Sequence, residues 1–122
     1  MKLGDAFTME VPPKFDLPHL FFVISDPLKN SGTFHIVNIT TNQLRAGKEC
    51  ILNIGDHEWI TELSFVSFAD TREIDKAKSA GLQALIGKRV KMQPCLKDDA
   101  LQRIIEAGKK SKAIPLEFKK FL

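Results

Sequence analysis

The sequence predicts an α+β fold in a single domain: a strongly curved antiparallel barrel with a C-terminal helix packed on it. Three observations carry this expectation. Two apolar runs, Leu20–Ile24 and Phe34–Ile39, are rich in Phe, Val and Ile and flank the loop-forming stretch Ser25-Asp26-Pro27-Leu28-Lys29-Asn30-Ser31-Gly32, which reads as strand, loop, strand. Leu101, Ile104, Ile105 and Gly108 recur with the spacing of one helix face. The 122 residues are enough for one modest core and too few for two.

The elements follow in order. Gly4-Asp5 opens a turn, and Phe7, Met9 and Val11 then alternate with Ala6, Thr8 and Glu10 in a first strand that Pro12-Pro13 ends. Lys14–Pro18 reads as a connector. The run Leu20–Ile24 does not alternate, so both of its faces should be buried. The next strand sets Phe34, Ile36 and Asn38 on one face and His35, Val37 and Ile39 on the other. Asn42–Gly47 reads as a polar loop, and Glu49–Ile54 as a fourth strand stopped by the turn at Gly55-Asp56. His57–Leu63 connects to a fifth strand, Ser64–Phe68.

A helix is expected over Ile74–Ile86, with Gly81 weakening it by about 1 kcal/mol relative to alanine and Gly87 closing it. Arg89–Pro94 reads as a short strand. The helix over Asp98–Gly108 has Asp98 and Asp99 in its first turn and Lys109 and Lys110 at its end, as the helix dipole favours. A last helical turn from Pro115 brings Phe118, Phe121 and Leu122 to a dimer interface or onto the monomer's own core.

Composition narrows the class. With 43% hydrophobic and 27% charged residues, this is the make-up of a soluble globular protein. No apolar run approaches the roughly 20 residues of a membrane span, and Met1–Asp5 lacks an apolar signal region, so no membrane partner and a cytoplasmic location are expected. Cys50 and Cys95 are too few and too far apart for a disulfide framework or a zinc clip, and both are expected as buried thiols. The net charge of +3 is uneven: Lys109, Lys110, Lys112, Lys119 and Lys120 crowd the C-terminus, and Lys88, Arg89 and Lys91 form a second group. Such groups suit a phosphate-bearing partner, although most lysine groups are only solvated faces.

Candidate chemistry gathers at one end of the proposed barrel. In an antiparallel pair, His19 at the start of one strand meets Thr40 and Thr41 at the end of the next. Closure of the sheet would bring His57 to the same mouth, with Arg45 in the following loop, Ser64 at the start of a strand and Trp59 as a surface for stacking a base. Metal-free cleavage of RNA needs a base for the 2′-hydroxyl, an acid for the leaving oxygen and donors facing the phosphorane. Histidine suits both proton transfers. Plainer roles stand beside these: His57 fixing a turn through Asp56, His35 as a sheet-face residue, Asp26 starting the hairpin turn, and Cys50 as core. Asp56, His57, Glu58 and Glu62 match no metal-site spacing, so no metal is read from them.

On these residues the chain resembles the small SH3-like barrel toxins of the PemK/MazF growth-inhibitor family. Gly4-Asp5 is similar to the family's opening Gly-Asp. The run His19-Leu20-Phe21-Phe22-Val23-Ile24-Ser25 resembles its Arg-Pro-x-Leu-Val-Val-Ser strand, and Asn38-Ile39-Thr40-Thr41 its Pro-Ile-Thr-Ser ending. Ser64-Phe65-Val66 matches a later Ser-x-Val, and Val90–Ile105 follows the family's strand, turn and helix. Two departures stand out: His19 replaces the family's arginine, and Gly55–Ile60 lies outside its pattern. The resemblance implies a cofactor-free endoribonuclease acting on single-stranded RNA, a homodimer and an antitoxin partner. His19, Thr40, Thr41 and His57 would be catalytic, and Arg45, Ser64 and Trp59 would bind substrate. Loss of the arginine leaves an alternative, a non-catalytic binding module of the same fold for a protein or nucleic acid. A third reading is a regulatory partner that docks through its basic C-terminal helix.

Overall fold

The computed structural model describes residues 1–11 and 14–122, the side chains of residues 11 and 14–16 excepted. Its spine is the apolar hairpin. Strand β2 (Lys14–Val23) pairs antiparallel with β3 (Phe34–Thr40) in the register Leu20↔Ile39 to Val23↔Ile36. Asp26 starts the loop between them as expected: its carboxylate accepts from Leu28 N at 2.9 Å and its carbonyl from Lys29 N at 3.2 Å. On either side the sheet is extended by β1 (Ala6–Val11), β4 (Ile51–Leu52), β5 (Ser64–Ile74) and β6 (Val90–Gln93). The order is β4-β5-β3-β2-β1-β6, antiparallel at every step and curled into a half-barrel. The α+β class and the curved antiparallel sheet are thus as expected.

Because successive strand residues point to opposite faces, β2 serves two cores at once. Leu20, Phe22 and Ile24 join Val37, Ile39, Val66 and Phe68 under helix α3 (Asp98–Lys110), which contributes Ala100 and Ile104. Phe21 and Val23 join Phe7, Phe34, Ile36 and Ile74 under helix α2 (Lys76–Ala84), which contributes Leu82. An unalternating run is what a strand covered on both faces requires.

Several boundaries differ from expectation, each for a local reason. Lys14–Pro18 is strand rather than connector, pairing with β1 at Glu10↔Pro18 and, past an irregularity, at Val11↔Lys14. The β2–β3 ladder begins only at Leu20, so Pro18 sits where β2 is still an edge and a missing donor is tolerated. The expected stop at Pro12-Pro13 lies outside the described residues. The polar loop after β3 holds a short helix, α1 (Gln43–Ala46), capped by the Asn42 side chain, which accepts from Arg45 N. Strand β4 shrinks to two residues because the Asp56 carboxylate accepts from Asn53 N at 2.7 Å and folds the chain into its turn early. Strand β5 outruns its apolar stretch: after an irregularity it rejoins β3 through Ile36↔Arg72, His35↔Glu73 and Phe34↔Ile74.

The C-terminus closes the α3 face. Ser111 Oγ and Lys112 N donate to the Glu49 carboxylate at 2.6 and 2.8 Å. A 3-10 helix (Leu116–Phe121) then lays Phe118 and Leu122 against this core. Phe118 and Leu122 thus cap the chain's own core, one of the roles expected of the terminal apolar residues.

Candidate functional site

The register decides which polar residues can meet. One row across the α2 face runs Val90, Met9, His19, then Thr40, Phe65 and Ile51; His19 and Thr40 each lie one step beyond the last β2–β3 pair. Thr41 and Ser64 continue the opposite, α3-side face, next to the pairs Leu20↔Ile39 and Ile39↔Val66. Thr40 is the last residue of β3, and Thr41 lies one residue past it.

Four of the expected residues do come together. Thr40, Thr41, Trp59 and Ser64, with Leu20, Ile39, Ile60, Thr61 and Glu62, line a cavity of about 140 Å³. Thr40 Oγ1 accepts from Asn42 N at 3.1 Å, and Ser64 Oγ donates to the Glu62 carbonyl at 2.9 Å. Cavities that take small-molecule ligands usually run to about 300–1,000 Å³, so this niche holds a single side chain or functional group at most.

His57 stands apart from it. Its ring packs beside Phe22, centroids 5.5 Å apart, on the α3 side of the sheet. It lines a second cavity of about 440 Å³ with Ile54, Gly55, Asp56, Pro94, Cys95 and Lys97. Both ring nitrogens are engaged. Nδ1 accepts from Trp59 N at 3.0 Å, which leaves the proton on Nε2, donated to the Pro94 carbonyl at 2.6 Å. At 4% exposure the imidazole holds the turn to the sheet rather than offering a nitrogen to a ligand. Its neighbour Asp56 is paired with Arg103 of α3, and Lys97 Nζ donates to the Gly55 carbonyl at 3.1 Å, so the whole turn is tied to α3.

His19, half-buried on the α2 side, shares neither cavity. Arg45 is also elsewhere: its Nε meets Asp70 Oδ2 at 3.3 Å on the surface beside β5. Although burial pushes the Asp70 carboxyl upward, hydrogen bonds from Ser67 and Arg45 outweigh it and hold Asp70 below the usual range. The thiols divide, against expectation. Cys50 is buried, which raises its pKa to about 11 and leaves no thiolate for nucleophilic work. Cys95 is exposed, because it follows Pro94 just past the end of β6.

A buried polar cluster that sequence reasoning missed surrounds His35. Its ring is fully buried, with Ser25 Oγ 2.8 Å from Nδ1 and Glu73 Oε1 3.2 Å from Nε2. Phe118 and Phe121 cover the ring at centroid distances of 4.7 and 4.6 Å. The Ser25 contact was implicit in the hairpin, since Ser25 follows directly on the first apolar run and His35 is the second residue of the next. Glu73 carried no such signal, because it lies beyond the apolar part of β5. Among the described residues, no group of three His, Cys, Asp or Glu could hold a metal ion.

Chemically, the mouth of the sheet offers hydroxyls, one carboxylate and a half-exposed indole, with no imidazole or guanidinium among the cavity's lining residues. That set can accept and donate hydrogen bonds but lacks a base and acid pair. No family model matches the chain, and no curated protein matches it.

Proposed function

We propose that this chain is a PemK/MazF-like barrel that works as a non-catalytic binding module for a protein partner, through the apolar rim beside β4. The observation that carries the reading is the exposure of that rim: Ile51 at 40%, Ile54 at 71%, Trp59 at 40% and Leu63 at 51%. They lie on and beside the two-residue strand at the edge of the sheet. Exposed apolar groups concentrated in one segment are a feature of contact surfaces. The hydroxyls of Thr40, Thr41 and Thr61, in the niche that Trp59 also lines, supply the polar contacts that fix orientation. A protein is favoured over a nucleic acid because Glu62 lines the niche and Arg45, the basic residue expected there, is paired with Asp70 elsewhere on the surface.

The test compares the tagged chain with its Trp59→Ala/Leu63→Ser variant, both expressed in the native cell. A partner retained by the first and lost by the second, with both proteins folded, is the expected result. Equal retention by both removes the rim from the interface.

The toxin-like ribonuclease remains the second reading, favoured by the shared cavity of Thr40, Thr41, Trp59 and Ser64. It requires that purified protein cleave single-stranded RNA in the presence of EDTA. It further requires that Thr41→Val abolish cleavage while leaving the fold intact.

A further inference from the structure

At the far end of β5 from the rim, eight residues beyond Ser64 and so about 25 Å away along the strand, lies the cavity of greatest interest. It measures about 670 Å³, within the range of sites that hold small organic ligands. Ile74, Leu82, Leu85 and Phe118 supply its apolar lining. Leu82 and Leu85 come from α2 and its C-cap, Ile74 from the end of β5, and Phe118 from the C-terminal 3-10 helix. A side chain at Gly81, also on its wall, would meet nothing within 4 Å at its Cβ. The space is therefore open on the α2 side.

Its charged groups are unequal in what they have left to give. The Glu73 carboxylate is bound by the buried His35. Arg72 and Lys78 form no ion pair among the described residues, although the Arg72 charge bears on Asp70 at longer range. The site thus combines an apolar trough with two uncommitted cations, one from β5 and one from α2, which outnumber its single carboxylate, Glu73.

We propose that this cavity binds an amphipathic anion, an alkyl or aryl tail carrying one anionic head group. The tail lies against Leu82, Leu85, Ile74 and Phe118, and the head takes charge-assisted hydrogen bonds from Arg72 and Lys78. Those two cations select against neutral and cationic molecules with the same tail. Because Phe118 belongs to the C-terminal helix, an occupied cavity also holds that helix against β5.

Decanoate is the probe, titrated into uniformly 15N-labelled protein and followed through its amide spectrum. Saturable shifts centred on Arg72–Ile74, Lys78–Leu85 and Phe118 are expected, with decanol and decyltrimethylammonium producing weaker or scattered changes. Arg72→Ala and Lys78→Ala each weaken decanoate binding about five- to tenfold, the loss of one charge-assisted contact. Both side chains are exposed, so the variants keep the fold, which an unchanged spectrum elsewhere checks. Shifts centred instead on Ile54, Trp59 and Leu63 overturn the proposal. So does equal binding of the three ten-carbon probes, or decanoate affinity unaltered in the double variant.

Discussion

His35 Nε2 and Glu73 Oε1 lie 3.2 Å apart across the β3–β5 ladder, joining a fully buried imidazole to a carboxylate that is 43% exposed. Burial holds the His35 pKa below its ordinary value; the hydrogen bond and charge of Glu73 pull it back only in part. Ser25 takes the other ring nitrogen, and Phe118 and Phe121 shut out water. The neutral imidazole is thus a keystone between the hairpin loop, β5 and the C-terminal helix.

Stability should depend on pH through this residue. A lowered pKa in the folded state means that the unfolded chain binds the proton first, so its contribution is complete above about pH 6.5 and is lost as pH falls toward the folded value. One proton taken up on unfolding gives a slope of at most about 1.4 kcal/mol per pH unit. Denaturant melts between about pH 7.5 and pH 5.5 should show stability falling with acidity, and the fall should be shallower in His35→Asn. An identical slope in the variant means that His35 does not govern acid sensitivity.

Two glycines in helices make opposite predictions. A Cβ at Gly108 would stand 2.8 Å from Leu122 Cδ1 and 3.2 Å from Phe68 Cε1, so Gly108→Ala must displace the terminal leucine or a core ring. A cost of about 1–3 kcal/mol is expected. Gly81 has open space at its Cβ and no left-handed backbone, so Gly81→Ala should stabilise by about 0.5–1 kcal/mol through helix propensity. Thermal melts of the two variants moving in the same direction would contradict this account of the packing.

How much of this was legible in the sequence follows from which forces act locally. The hairpin, both main helices and the doubly buried β2 were readable because apolar spacing reports burial directly, and residues such as Phe22 and Ile104 have no alternative place. The shortness of β4 was not readable, since it depends on the Asp56 carboxylate reaching back to Asn53 N. Nor was the polar half of β5, where Arg72 and Glu73 are held by pairing with β3 rather than by any apolar pattern of their own. At the candidate site, strand order correctly suggested that Thr40, Thr41 and Ser64 share an end of the sheet. The period of two, applied one step further, already placed His19 and Thr41 on opposite faces. The position of His57 could not be foreseen, because its partner is the carbonyl of Pro94, distant in the chain.

The two cysteines should report folding separately. Cys50 is buried, with its thiol pushed up to about 11, so a disulfide reagent at about pH 8 should reach it only after unfolding. Cys95 is exposed, yet partial burial and then its hydrogen bond to Asp5, 3.4 Å from Sγ, raise its pKa. It should react in the native protein, more slowly than free cysteine, and faster once Asp5→Asn removes the adjacent charge. Two thiols modified at one rate in native buffer would be incompatible with this arrangement.

His57 and His19, both expected at one mouth, should contribute very differently to stability. His57 donates to the Pro94 carbonyl at 2.6 Å, accepts from Trp59 N at 3.0 Å and packs on Phe22. His57→Ala strips partners from two backbone groups and opens a gap beside the core, so it should lower stability by about 2–4 kcal/mol. His19 is half-buried, at the edge of the β2–β3 ladder, and His19→Ala should cost no more than about 1 kcal/mol. Chemical denaturation of both variants, each beside its glutamine counterpart, measures the contrast; the His57 glutamine, which can still donate one hydrogen bond, should recover part of the loss. If both alanine variants keep full stability while abolishing RNA cleavage, the imidazoles are catalytic groups and the turn-holding role given to His57 is wrong. If only His57→Ala unfolds the protein and no variant changes the fate of RNA, the histidine serves the scaffold on which the β4 rim is displayed.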